Sequence, residues 1–250
     1  MAVLSPAAEL AGLLRSARSA VVLTGAGISV PSGIPDFRSP GAGIWEKVDP
    51  MEVAHIDVWR RDPDRFWHFY GARFASLREV QPNPAHEVVA ELERRGLIDG
   101  VITQNIDRLH RAAGSRSVVE VHGSIEWSRC PVCGARVELE RVVEMIEGSP
   151  GAPECPGCVT PLKPEVVLFG EMLPMEAIAK AERLAAGADL MICIGSSLVV
   201  HPVAGLPEMT LAAGGRVAVV TESPTPYDDR AAVRLGGDVV DELKAVLAAL

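Results

Sequence analysis

The sequence predicts an α/β fold, a doubly wound parallel sheet carrying a smaller inserted domain, and three observations predict it. Short apolar runs recur at residues 20–24, 101–103, 118–121, 166–169, 190–194 and 217–220, with helical patterns between most of them. The first run stops at Gly25-Ala26-Gly27, as a buried parallel strand does on entering a tight turn before a helix. Between about 125 and 165 the alternation gives way to a Cys-, Pro- and Gly-rich stretch that marks an insertion.

Each element has a local reason. Ser5-Pro6 supplies an N-cap and a first-turn proline, and Leu10, Leu13, Leu14 and Ala17 follow at helical spacing, so a helix is expected to end near Ser19. The stretch Arg38-Ser39-Pro40-Gly41-Ala42-Gly43 lies in a Gly- and Pro-rich region and is expected to be a mobile loop. Residues 63–80 and 84–95 read as helices, the first rich in aromatics, the second opened by Asn83-Pro84 and closed by Gly96.

The chain has 250 residues, 48% of them hydrophobic and 23% charged, enough to bury a sizeable core and too apolar for disorder of the whole. A net charge of -9 argues against nucleic acid or an anionic membrane as the main partner, since phosphate binding needs a clustered excess of Lys and Arg. No apolar stretch approaches the roughly 20 residues a spanning helix needs. The first 19 residues lack the basic start, apolar core and cleavage site of a secretory signal, so a cytoplasmic location is expected.

Cys130-Pro131-Val132-Cys133 and Cys155-Pro156-Gly157-Cys158 are two CxxC knuckles separated by 21 residues, one more than the usual zinc-ribbon range. Four soft sulfurs suit tetrahedral Zn²⁺ and leave no position for water or substrate, so the expected metal is structural. Redox dithiols or unconnected core cysteines are the competing reading. Cys193, inside an apolar run, reads as a small core residue.

Gly25-Ala26-Gly27-Ile28-Ser29 follows a strand, where freed backbone amides can approach a pyrophosphate. Val30 stands where the third glycine of GxGxxG belongs, so the fingerprint is incomplete. Gly195-Ser196-Ser197 offers a second turn with two hydroxyls for phosphate or ribose. Both glycine sets equally suit turns that only close tight βα connections.

Taken together with Gly33-Ile34-Pro35-Asp36-Phe37-Arg38, Thr103-Gln104-Asn105-Ile106-Asp107 and His122-Gly123, these motifs resemble the sirtuin family from about residue 8 to 245. The resemblance implies an NAD-dependent protein-lysine deacylase, an acyl-transferring enzyme with a Rossmann-type domain and a smaller domain made of a zinc module and a helical module. The corresponding divisions are 1–38, 84–124 and 165–250 for the NAD-binding domain, 39–83 for the helical module and 125–164 for the zinc module.

Residue by residue, similarity places Gly25, Ala26, Gly27, Phe37, Arg38, Gln104, Asn105, Ile106, Asp107, Gly195, Ser196 and Ser197 around NAD. The Asp107 carboxylate can accept from the nicotinamide carboxamide, the amides of Gln104 and Asn105 can bind ribose hydroxyls or a water, and Phe37 can shield the reacting sugar carbon. The resemblance makes His122 the general base that deprotonates a ribose hydroxyl, with Asn105 beside it; imidazole titrates near working pH. Without the motif, His122 reads equally as a strand-end packing residue. The remaining histidines read as surface or satisfied. Thr221 stands where sirtuins commonly place Asn against the adenosine ribose, a departure that weakens contact there. Val167, Phe169 and Gly170 resemble the segment that pairs with an acyl-lysine protein substrate as an added strand.

Residues 66–74 hold five of the eleven aromatic residues, and Phe66 and Phe69 read as core. Tyr70 and Arg73, at i and i+3 on one helix face, look like the pair that desuccinylase-type sirtuins use to grip acidic acyl groups, so succinyl- and malonyl-lysine are expected beside acetyl-lysine. The competing readings are a zinc-ribbon nicotinamide dehydrogenase, a mono-ADP-ribosyltransferase and a non-enzymatic NAD-sensing interaction module.

Overall fold

Five of the six apolar runs become neighbours in one sheet. The computed structural model describes residues 4–36, 49–149 and 151–250; the expected loop at 38–43, with Phe37 and Arg38, lies outside them. The Ser5 hydroxyl accepts from the Ala8 amide at 3.3 Å and opens α1 (Pro6–Ser16), which ends three residues before the sequence suggests. Strand β1 (Ala20–Thr24) follows, then a 3-10 helix, Ala26–Ser32. Four helices come next: α2 (Pro50–Val53), α3 (Ile56–Arg61), α4 (Pro63–Glu79) and α5 (Pro84–Arg94). Asn83 caps α5 through a capping box with His86. Strand β2 (Gly100–Thr103), the single turn α6 (Leu109–Ala112) and β3 (Val118–Glu120) lead to β4 (Gly123–Arg129), β5 (Arg136–Glu138), α7 (Leu139–Gly148) and β6 (Lys163–Val166). The chain closes with α8 (Met175–Gly187), β7 (Leu190–Ile194), α9 (Leu206–Ala212), β8 (Arg216–Val220), β9 (Val233–Leu235) and α10 (Val239–Ala248).

The large sheet runs β3-β2-β1-β7-β8-β9 and every pairing in it is parallel. Strand order reverses between β1 and β7, the point at which open α/β sheets form a ligand crevice beyond their strand ends. Strand residues alternate between two cores. Val22, Ile192 and Ile194 face α1, α5 and α10, while Val21, Leu23, Met191 and Cys193 face α8 and α9. Cys193 is thus a core residue, and burial pushes its thiol well above the ordinary range.

The run at 166–169 departs from expectation. Only Val166 is in a strand, at the end of β6, and β6 belongs to a three-stranded antiparallel sheet, β5-β4-β6. Val166 and Leu168 are buried, Val167 is half-buried and Phe169 is exposed, so the apolar letters of this run told neither its full burial nor which sheet it joins. Phe66, Trp67 and Phe74 of α4 pack with Leu139, Val142, Val143 and Leu162 in a third core beneath the small sheet. The indoles of Trp59 and Trp67 both donate to the Leu162 carbonyl, at 3.1 and 2.9 Å. Phe69 lies outside that core, contrary to the expectation from sequence. Among the described residues, no helix is long and apolar enough to cross a membrane.

Candidate active site

At the metal module the small sheet brings both knuckles together: the ligand atoms of Cys130, Cys133, Cys155 and Cys158 all lie within 4.8 Å of one another. The Cys133 and Cys155 sulfurs are 3.7 Å apart. With Zn–S bonds near 2.3 Å, the edge of a ZnS₄ tetrahedron is about 3.8 Å, so the donor set fits one closed-shell zinc. Backbone turns fix each knuckle, with the Gly134 amide donating to the Cys130 carbonyl at 3.0 Å and the Val159 amide to that of Cys155 at 2.9 Å. This convergence favours a metal over separate core thiols.

Beyond the ends of β1 and β7, where the strand order reverses, the two glycine turns touch. A Cβ on Gly27 would lie 2.7 Å from Gly195 Cα and 2.8 Å from its carbonyl oxygen, and one on Gly25 would meet Ser196 Cβ at 2.9 Å. The Gly27 amide donates to the Gly195 carbonyl at 2.8 Å. The glycines are therefore required by loop-against-loop packing, before any ligand is considered. Ala26 follows in the 3-10 helix and Ser197 in the turn after Gly195, both partly exposed; Thr221 lies just past β8, its amide bonded to the Leu235 carbonyl at 3.0 Å.

The loop after β2 joins both turns. The Gln104 amide nitrogen donates to Ser196 Oγ at 2.9 Å, and Asn105 Nδ2 donates to the Gly25 carbonyl and to Ser29 Oγ, each at 3.1 Å. Ser29 in turn donates to Asp107 Oδ2 at 2.7 Å, while Oδ1 accepts the Leu109 amide at 2.9 Å. Burial raises the Asp107 carboxyl above its usual range, and these two donors oppose the rise. Ile106 lends its carbonyl to the Ile125 amide at 3.1 Å, tying the loop to β4.

His122, between β3 and β4, sits with Nδ1 3.0 Å from the Gln104 carbonyl. A carbonyl only accepts, so Nδ1 carries the proton and Nε2 keeps its lone pair. Burial lowers the ring's pKa, and the Gln104 bond partly offsets this. The His122 carbonyl accepts from Val167 at 2.8 Å, and Phe169 then exchanges bonds with the chain at the start of α3, its amide to Ala54 and its carbonyl from Ile56, both at 2.9 Å. Gly170 follows with φ +82°, and a Cβ there would strike the His55 ring.

On α4, the Arg73 guanidinium lies 4.5 Å above the Phe69 ring, which explains why Phe69 stays at the rim. Tyr70 packs between Phe66 and Phe74, and burial raises its hydroxyl to about 12, with Arg73 acting the other way. Among the described residues Arg73 forms no ion pair, and Tyr70 and Ile106 border the same core as Leu168.

Three polar residues were missed by sequence reasoning. Ser29 is a hub, although it reads as only one letter of a glycine motif. His86 and His110 are fully buried with rings 5.0 Å apart, and burial lowers them to about 4 and about 3. His110 Nε2 pairs with Thr24 Oγ1 at 2.9 Å, yet Nδ1 has no partner among the described residues, so the histidine is neither exposed nor fully satisfied. The N3 position after Asn83-Pro84 was the available sign for His86.

Residues 25–202 match the Sir2 family. An NAD-dependent protein deacetylase of Thermotoga maritima is 44% identical over 239 residues, 96% of each chain, and an NAD-dependent protein deacylase of Thermococcus kodakarensis is 44% identical over 93% of this chain and 92% of its own. A solved Sir2 complex with a p53 peptide and NAD+ superposes with a TM-score of 0.88 at 42% identity, covering 96% of each chain. Sir2Tm bound to a propionylated peptide gives 0.87 at 42% identity and the same coverage. On its motifs, the family match and these likenesses, the chain belongs to the Sir2 family.

Proposed function

We propose that this chain removes acyl groups from protein lysines with NAD as co-substrate, giving nicotinamide, O-acyl-ADP-ribose and free lysine. The observation that carries the reading is the loop 104–107, which hydrogen-bonds to both glycine turns and to His122 at once. NAD supplies the sugar carbon that accepts the acyl oxygen as nicotinamide departs, and the ribose hydroxyl that must then lose a proton.

The protein's own groups fit those needs. His122 presents an unprotonated Nε2 to take the hydroxyl proton, and its partial burial keeps the ring neutral at working pH. Asp107 spends one lone pair per oxygen on Ser29 and Leu109, so a second pair on each can accept from a carboxamide. Gln104 and Asn105 hold their side chains by donation from nitrogen, which, among the described residues, leaves both amide oxygens to accept from ribose hydroxyls or a water. Gly25, Ala26, Gly27, Gly195, Ser196 and Ser197 form the two turns facing the crevice, and Thr221 borders it. Phe37 and Arg38 retain their proposed cofactor roles on sequence grounds alone.

Val167 and Gly170 receive the acylated peptide by backbone pairing; contrary to the expectation from sequence, the Phe169 amide and carbonyl are already bonded to Ala54 and Ile56, so Phe169 borders that strand without pairing with it. The four cysteines hold a structural zinc. Tyr70 and Arg73 add a preference for acidic acyl groups, supported by a guanidinium with no carboxylate partner among the described residues, beside a phenol.

The test is a product assay with NAD and matched acetyl-, succinyl- and malonyl-lysine peptides. Nicotinamide, O-acyl-ADP-ribose and free lysine in equal amounts are expected. Intact reduced cofactor, ADP-ribosylated protein or no NAD consumption would each refute deacylation.

A further inference from the structure

The segment that leaves β6 is tied from beneath by a lysine. Lys163 Nζ donates to the Pro164 carbonyl at 3.1 Å and the Val166 carbonyl at 2.9 Å, and pairs with Glu171 Oε2 at 2.9 Å. The same Oε2 accepts the Leu168 amide at 2.9 Å. Three ammonium N–H groups thus meet three acceptors, and the ring they close spans residues 163–171. Both charged side chains are mostly buried, at 21% and 24% exposure, where charge-assisted bonds are screened less than at the surface.

What this ring encloses gives it a task. Val167 is bonded to His122, and Phe169 to residues 54 and 56, so the segment joins the crevice to the helices before α4. Its backbone turns at Gly170, φ +82°, immediately before Glu171. An edge that receives a peptide by backbone hydrogen bonds must present its groups in a fixed register before the peptide arrives.

We propose that Lys163 is a positioning residue for the acylated peptide: with Glu171 it clamps 166–171 into the shape that receives the substrate strand. The proposal rests on the reading that Val167 and Gly170 pair with the peptide. It assigns Lys163 no contact with substrate.

Two readouts on Lys163→Met test it. Hydrogen exchange of amides 166–171 should quicken while that of β1 and β7 stays as in wild type. In steady-state deacetylation the KM for an acetylated peptide should rise about tenfold, the scale of one lost bond to a charged group, with the KM for NAD within about twofold. Lys163→Arg, which keeps charge and donors, should recover most of the peptide KM. Should Lys163→Met fail to fold, Glu171→Gln carries the same test, with faster exchange and a higher peptide KM expected.

Unchanged exchange, or an unchanged peptide KM in an active enzyme, overturns the clamp. Equal rises in both KM values overturn it too, since they would mean general loosening. If the wild-type enzyme consumes no NAD with any acyl peptide, the deacylase reading fails instead, and the exchange measurement still decides whether the clamp exists.

Discussion

Replacing Gly27 by Ala probes the contact between the two glycine turns. The new Cβ would sit 2.7 Å from Gly195 Cα, 2.8 Å from its oxygen and 3.0 Å from its carbonyl carbon, all backbone atoms that cannot rotate away. Restoring carbon contacts near 3.5 Å requires the turns to part by roughly 0.8 Å. The Gly27 amide to Gly195 carbonyl bond, 2.8 Å in the native turn, would then lengthen past hydrogen-bonding range. Overpacking costs about 1–3 kcal/mol and the lost bond about 1 more, a total of about 2–4 kcal/mol. For a chain this size that is a fall of roughly 4–16 °C in Tm. The KM for NAD should rise at least about tenfold, because the displaced turns line the proposed crevice. Gly12→Ala is the control: nothing lies within 4 Å of its added Cβ and it stands inside α1, so that variant should gain about 0.5–1 kcal/mol. Calorimetric melting and NAD-dependent kinetics measure both. A Gly27→Ala protein melting within about 1 °C of wild type with unaltered KM for NAD would refute the packing argument.

Three further outcomes are expected. Burial places the His122 pKa below the ordinary imidazole value of 6.5, so the ring stays a base down to that pH and kcat/KM should fall only as pH drops further; an acid limb centred above pH 7, or one that survives in the residual rate of His122→Ala, contradicts the assignment. Chelation should release about one zinc per chain and quicken hydrogen exchange in the small sheet before the large one, with activity lost as a consequence; full activity in verified metal-free protein contradicts a structural metal. Arg73→Met should lower kcat/KM on succinyl-lysine peptide by roughly tenfold to a hundredfold, the worth of one charge-assisted contact, and spare acetyl-lysine; equal loss on both rules out selection by this pair.

Some of this was legible in the chain because the signal is local. Two CxxC knuckles announce a metal since each pair of sulfurs is set by one turn, and the structure only had to bring the turns together. Tyr70 and Arg73 share a helix face by their spacing alone. The apolar runs at 20–24 and 190–194 are buried on both faces, which is what central parallel strands require. Strand β9 went unnoticed because Val233–Leu235 is short and carries Arg234 between its two buried residues.

Tertiary structure decided what depends on partners distant along the chain. That Gly27 is glycine because of Gly195, that Ser29 holds Asp107, and that His122 is oriented by Gln104 are contacts no spacing rule encodes. The run at 166–169 could have joined either sheet, and the antiparallel pairing of β6 with β4 assigned its first residue to the small one. Lys163 had no sequence signal, since its meaning lies in three acceptors that converge only after the chain turns at Gly170. The sequence by itself determined which short runs form the buried central strands and which residues could bind a metal, because both follow from side-chain chemistry and short-range geometry. Which polar atoms face one another had to await the fold, because a hydrogen bond depends on distances of a few tenths of an ångström between elements set far apart in the chain.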